Sequence, residues 1–191
     1  MGRRRRRAMT SDQARHVRQA GHNDELRFAH LIGLSGVYTG DTKGKTDVID
    51  RNGDAHSVKS GNLKWQIFLY RRSRIEADPD FGYMDGIGEI LINCIDAFPE
   101  IRDDYVENKP FYKSRLQPHM RALRNKLADR GILSEFFDKA MFNAGEVEYL
   151  TVLQNDQFHV FYRQDVLRVL SAQISVENSK ARNPNLSRPL T

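Results

Sequence analysis

Cysteine is almost absent from this sequence: Cys94 stands alone among 191 residues, so an internal disulfide is excluded. Long apolar runs are also missing, and none approaches the roughly 20 residues that a transmembrane helix needs. The six histidines include no i, i+4 pair, and no Gly-rich segment has the spacing of a phosphate-binding loop. We therefore expect a cytoplasmic protein with no membrane span, no structural zinc and no nucleotide cofactor.

Excess positive charge is confined to one short segment. The formal net charge is +5, and Arg3 to Arg7 supply five positive charges, so the rest of the chain is formally neutral. Net charge is therefore weak evidence for a nucleic-acid partner. We expect residues 1–10 to be a flexible basic arm, either a phosphate-binding tail or a segment without function.

The composition is that of one domain with a real core, because 39% of the residues are apolar and 29% are charged. We place this domain at residues 11–172. Residues 173–191 are polar and contain two prolines, which predicts a flexible C-terminal tail.

Apolar spacing predicts several helices. They are expected at 11–33 with a break at Gly21 and a cap at Asn23 or Asp24, after Gly61, at 87–98, at 117–131 with Pro118 in the first turn, and at 133–143. Residues 34–45 are predicted to form a loop with a short strand at Val37 and Tyr38, and 100–112 to be irregular.

Two segments have the pattern of β-hairpins, with turns at Asn52-Gly53 and Asn155-Asp156. A helix should follow the second hairpin. The fold class predicted from these elements is α/β (α+β), with a mixed central β-sheet flanked by helices.

Polar residues on the first hairpin indicate a metal-binding or catalytic site. Strand side chains alternate, so Ser57 and Lys59 share a face, and Asp47 joins them only if the loop has an odd length. A three-residue loop with Gly53 left-handed would bring Asp47 to this face, whereas a two-residue turn would place it opposite Val58. In the first case a carboxylate and an ammonium group lie within reach of each other.

This arrangement suits a hard divalent cation. Mg²⁺ prefers oxygen ligands and retains several waters, so Asp47, the Val58 carbonyl and one more carboxylate would suffice, with Mn²⁺ as a substitute. Glu25 is our choice for that carboxylate. Three other acids are less favoured: Asp24, Asp54 and Glu76. The alternative for Asp47, Ser57 and Lys59 is an ordinary exposed polar face.

The order of these residues resembles the PD-(D/E)XK nuclease superfamily, in which a helical acid, a strand Asp and a (Glu/Asp)-x-Lys element build the active site. The match covers residues 20–72, with Glu25, KTDV (45–48) and HSVK (56–59) as its main elements. QIFLY (66–70) also resembles the QxxxY element of the exonuclease branch, although helix packing is the favoured explanation. The sequence departs from the family pattern at Thr46, in place of proline, and at Ser57, in place of an acid.

The resemblance implies a restriction-endonuclease-like core and a Mg²⁺-dependent endonuclease that cuts double-stranded DNA, most concretely a type II restriction enzyme acting as a homodimer. Its catalytic residues would be Glu25, Asp47, Ser57 and Lys59, and its metal ligands Glu25, Asp47 and Val58. The alternatives are a homing, repair or nicking nuclease of the same fold, or a non-catalytic DNA-binding protein that lost a ligand at Ser57.

Basic and amide side chains around the hairpin are candidates for DNA contact. They are Lys43, Lys45, Asn62, Lys64, Gln66 and Arg71. Arg115, Gln117 and Asn125 are further candidates for base readout. Arg121, Arg124 and Lys126, on the helix predicted at 117–131, either contact DNA or form an ordinary solvated face, and the second is favoured. His56 either packs in the core or contacts DNA.

Overall fold

The computed structural model describes residues 11–34, 45–60 and 70–177. The chain divides into two compact units, one of residues 1–65 and 145–163 and the other of 66–144 and 164–191. The division does not decide whether residues 11–172 form the single domain expected from the sequence, which stays a prediction. The basic arm and residues 178–191 of the expected tail lie outside the described residues.

The first unit contains a helix and all the described strands. Their bounds are α1 Ser11–Leu31, β1 Val48–Ile49, β2 Ala55–Ser60, β3 Tyr149–Gln154 and β4 Gln157–Tyr162. The sheet order is β1-β2-β3-β4, in which β2 and β3 are parallel and the two hairpin pairs are antiparallel. The predicted α+β class with a mixed central sheet and flanking helices is confirmed. The likeness to restriction endonucleases stays a prediction.

The loop of the first hairpin has three residues. Val48 pairs with His56 and Ile49 with Ala55, and the Asp50 amide donates to the Asp54 carbonyl at 3.0 Å. Gly53 has φ +92°, a conformation that favours glycine. The odd-length loop is therefore confirmed and the two-residue turn is excluded.

The second hairpin also forms as predicted. Asn155 and Asp156 both have positive φ, at 50° and 62°, as a two-residue type I′ turn requires. The turn joins β3 to β4, and a helix, α8 (Arg163–Gln173), follows directly.

Helix α1 packs on the sheet through its C-terminal half. Phe28 and Ala29 are buried against Val48 and Val58. The predicted break at Gly21, with a cap at Asn23 or Asp24, is wrong because α1 runs unbroken from Ser11 to Leu31. A single glycine costs a helix only about 1 kcal/mol, which its neighbours offset here.

The second unit is helical. Its elements are α2 Arg72–Ala77, α3 Asp80–Tyr83, α4 Ile87–Asp96, α5 Arg102–Glu107, α6 Lys109–Lys126, α7 Arg130–Phe137, a π-helix at Asp138–Phe142, and α8 Arg163–Gln173, which begins at the last residue of the first unit. Their shared core includes Ile87, Leu91, Leu127 and Leu133. Ile174 packs against this core, at the start of the segment expected to be a flexible tail.

Several helix boundaries differ from the predictions. Residues 100–112 are not irregular, since α5 and the first turn of α6 occupy most of them. Pro118 lies inside α6, not in its first turn, and Pro110 takes that favoured position. Gly131 does not end a helix, because it lies in the first turn of α7, where the Asp129 side chain accepts its amide at 2.8 Å. The predicted α4 is confirmed to within two residues.

Lys139, on the π-helix, is the most deeply buried cation of the described residues. Its side chain is 4% exposed, and Nζ lies 2.7 Å from carboxylate oxygens of both Asp78 and Asp80. Two carboxylates compensate the ammonium for its lost hydration. This cluster therefore ties the π-helix to the chain around α3.

Among the described residues, no helix combines the length and apolarity that crossing a membrane would require.

Candidate metal and phosphodiester site

Asp47 is the centre of the candidate site in the first unit. It lies immediately before β1, and one carboxylate oxygen, Oδ2, accepts three hydrogen bonds from β2. The donors are the Val58 amide at 2.7 Å, the Ser57 hydroxyl at 3.2 Å and the Lys59 ammonium at 3.0 Å. Three donors on one oxygen fix the position of the carboxylate.

The Lys59 ammonium donates a hydrogen bond to each of the two oxygen groups that are expected to hold a metal. Its Nζ lies 3.0 Å from Asp47 Oδ2 and 3.0 Å from the Val58 carbonyl oxygen. The Lys59 and Asp47 side chains are 33% and 23% exposed, so both remain open to an incoming ligand. The odd-length hairpin loop thus brings Asp47, Val58 and Lys59 together as the sequence predicted.

Asp47, Ser57, the Val58 backbone and Lys59 form one surface, which we call the wall of the site. Ser57 is a buried member of this wall. The residue is 1% exposed, and its hydroxyl donates to Asp47. The hydroxyl stabilises the Asp47 carboxylate, which matches the supporting role expected for Ser57. It does not supply a second charged ligand.

Glu25 on α1 lies close enough to this wall to interact with its charges. Burial raises the pKa of the Glu25 carboxyl, and the negative charge of Asp47 raises it further. A hydrogen bond from His22 and the positive charge of Lys59 act in the opposite direction. A half-buried acid beside another acid is a group that a cation would stabilise in its charged form.

The three less favoured acids have other partners. Asp24 lies 3.4 Å from Arg27 on the same helix. Asp54 closes the hairpin loop through its backbone, and Glu76 belongs to the second unit, where it pairs with Arg72. Glu25, whose pKa responds to both Asp47 and Lys59, therefore stays the candidate for the second acidic ligand.

The donor set fits a hard cation. Two carboxylates and one carbonyl are oxygen ligands of the kind that Mg²⁺ prefers, and water would complete the octahedron. Among residues 11–34, 45–60 and 70–177, no group of three or more His, Cys, Asp or Glu side chains is arranged to hold a metal ion. The proposed set contains only two such side chains, because its third ligand is a backbone oxygen.

His56 packs in the core. The residue is 5% exposed, its ring stacks on Tyr149 with centroids 4.9 Å apart, and Nδ1 lies 3.0 Å from Thr151 Oγ1. Burial lowers the pKa of His56, and the Asp50 carboxylate 3.8 Å away partly offsets this. This burial favours the packing alternative for His56.

Most of the expected DNA contacts fall outside the described residues, namely Lys43, Asn62, Lys64 and Gln66. Lys45 is half-buried at the start of the hairpin segment, and Arg71 is exposed just before α2 in the second unit. Gln117, one of the candidates for base readout, is only 6% exposed on the packed face of α6, which disfavours that role.

The sequence interpretation missed two acids that β3 and the residues before it bring to the hairpin. The Thr46 hydroxyl donates to Glu146 at 3.4 Å, and the Ala55 amide donates to the Glu148 carboxylate at 2.8 Å. Both contacts span more than 90 residues of sequence. No local pattern could have revealed them, since they depend on the parallel pairing of β2 with β3.

Comparison with protein-family models, with curated proteins and with solved structures found no significant match to this chain.

Proposed function

We propose that this protein is a Mg²⁺-dependent endonuclease that hydrolyses phosphodiester bonds in double-stranded DNA, in the manner of a sequence-specific type II restriction enzyme. One observation carries the proposal. Asp47 Oδ2, the Val58 carbonyl oxygen and Lys59 Nζ meet within 3.0 Å contacts on one wall. Glu25 adds a second acid that interacts with this wall.

Each side chain has a defined task in this proposal. Glu25, Asp47 and the Val58 carbonyl would hold Mg²⁺, which supplies a more acidic bound water and screens the phosphate charge. Lys59 orients the attacking water or neutralises the charge that develops on the phosphoryl oxygens. Ser57 and the Val58 amide fix the carboxylate of Asp47.

A homodimer would explain how one small subunit cuts both strands. A two-fold axis relates the strands of a duplex, and a two-fold dimer presents one site to each of them. Cleavage of both strands in one binding event would follow from this symmetry.

Cleavage of unmethylated plasmid DNA with Mg²⁺ tests the proposal. Wild type should cut, EDTA should stop it, and Asp47→Asn or Lys59→Met should bind DNA without cutting. Glu25→Gln and Asp24→Asn form a matched pair of neighbouring acids on α1. Loss of activity in the first and retention in the second would support Glu25 as the ligand, and the reverse would move the role to Asp24.

A non-catalytic DNA-binding protein is the second candidate function. It is favoured by the buried Ser57 hydroxyl at the position where the family pattern has a carboxylate, and by the Lys59 ammonium that already occupies both oxygen groups. Binding without cleavage at every Mg²⁺ and Mn²⁺ concentration would favour this candidate. Discrete fragments would indicate a site-specific enzyme, whereas nicks or a smear would indicate a nicking or repair nuclease.

A further inference from the structure

Helix α6 in the second unit has an unusual charge composition. Its 18 residues contain six Lys or Arg and no Asp or Glu. The preceding stretch, residues 75–108, is the opposite, with ten Asp or Glu and one Arg. Although the chain outside the N-terminal arm is formally neutral, positive charge is therefore concentrated on one helix.

Three of these six cations have partners within the unit. Lys126 pairs with Asp85, and Arg115 donates to the Asp96 carbonyl at 3.4 Å. Lys109 lies 5.8 Å from the Tyr105 ring centre. These three cations have local roles that require no outside partner.

Arg121 and Arg124 differ from these residues. Both are exposed, and neither has a hydrogen-bond or ion-pair partner among the described residues of the chain. At 3.6 residues per turn they lie about 60° apart on the helix, one turn from each other. Asn125, also exposed, lies beside them. The two free guanidinium groups thus form a compact pair on the outer face of α6.

We propose that Arg121 and Arg124 form a docking surface on α6 for the phosphate backbone of double-stranded nucleic acid. The choice of nucleic acid as ligand rests on the proposed nuclease function. Guanidinium groups bind phosphate oxygens through paired N–H donors, and exposed arginines contribute to affinity without reading sequence. The surface adds non-specific affinity from the second unit, beyond the residues around the hairpin.

The salt dependence of binding gives a quantitative test. Each phosphate contact contributes about 0.9 to the slope of log K against log salt, so Arg121→Ala/Arg124→Ala should reduce the slope by about 1.8. Between about 50 and 200 mM salt, the affinity ratio of wild type to variant should then change about twelvefold. A mixed-sequence duplex in EDTA, followed by fluorescence anisotropy, measures binding without cleavage.

Arg72→Ala/Arg168→Ala is the matched control. It removes the same charge from exposed helical arginines of the second unit, but these two pair with acids: Arg72 with Glu76 and Asp96, Arg168 with Asp165. Its slope should stay close to wild type. Arg121→Lys/Arg124→Lys should restore the slope. Basic residues near a helix C-terminus also stabilise the helix. If Arg121 and Arg124 act only in this way, the alanine variant should unfold at lower urea concentration, and its slope of log K against log salt should equal that of wild type.

Each outcome decides the proposal. An unchanged slope in the alanine variant, or an equal loss in the control, overturns it. Binding of labelled poly-glutamate by wild type, with no binding of the duplex, also overturns it, in favour of an acidic protein partner. Failure of the nuclease proposal gives a different result, since wild type would then bind duplex through α6 without cutting it. A cutting enzyme with an unchanged slope refutes only the α6 surface.

Discussion

Asp47→Ala should destabilise the protein as well as remove a metal ligand. The carboxylate is the acceptor for the Val58 amide and the Ser57 hydroxyl, which belong to residues that are 7% and 1% exposed. A buried donor left without an acceptor costs about 1–3 kcal/mol, so the two together predict a loss of about 2–6 kcal/mol. Lys59 adds about 0–1 kcal/mol at most, because its partly exposed ammonium can turn to water.

A loss of this size is a large share of the roughly 5–15 kcal/mol that stabilises an ordinary domain. Inactivity of Asp47→Ala would therefore be ambiguous between chemistry and unfolding. Asp47→Asn keeps one carbonyl oxygen as an acceptor, so we expect a loss of about 1–2 kcal/mol, with the fold retained. This variant separates the charge of the carboxylate from its structural role.

Urea unfolding of Asp47→Asn, Lys59→Met and the double variant measures the coupling between the two side chains. A partly exposed ion pair of this kind predicts a coupling free energy of at most about 1 kcal/mol. A coupling near zero, together with a loss below about 0.5 kcal/mol in Asp47→Ala, would refute the three-donor geometry.

Further predictions concern pH and packing. The lowered pKa of the buried His56 means that the unfolded chain binds a proton first as pH falls, so stability should drop from about pH 6.5 downwards; urea unfolding should show this drop in wild type and not in His56→Gln. The raised pKa of Glu25 has the opposite sign, since its penalty appears as pH rises. Glu25→Gln should therefore be more stable than wild type at neutral pH in EDTA, and this gain should vanish below about pH 4, the range of a solvated Glu. Gly88→Ala should cost about 1–3 kcal/mol, because a Cβ there would lie 2.9 Å from Phe81 atoms. Gly82→Ala, whose Cβ meets nothing within 4 Å, should be neutral or stabilising in the same thermal melt, and equal effects at both positions would contradict this packing.

The candidate site was predictable from sequence as far as it depends on one hairpin. Asn52-Gly53 favours a left-handed glycine, and side-chain alternation then places Lys59 with Ser57. The loop length, which decides whether Asp47 joins them, was an alternative in the sequence and is settled by the pairing of Ile49 with Ala55.

Helix boundaries were less predictable. Pro118 looked like a helix start because proline is favoured in the first turn. It lies instead on the exposed side of α6, whose other face packs Leu123 into the core. Burial of that face outweighs the hydrogen bond that proline cannot make.

The sequence alone determined the two hairpins, the mixed α+β character and the polar face of β2, because turn conformation and side-chain alternation are local properties of neighbouring residues. Tertiary structure decided that α1 brings Glu25 towards Asp47, that β3 buries His56 beside Thr151, and that Arg121 and Arg124 have no acid partner among the described residues. These features arise from contacts between residues far apart in the chain, and they depend on how whole elements pack.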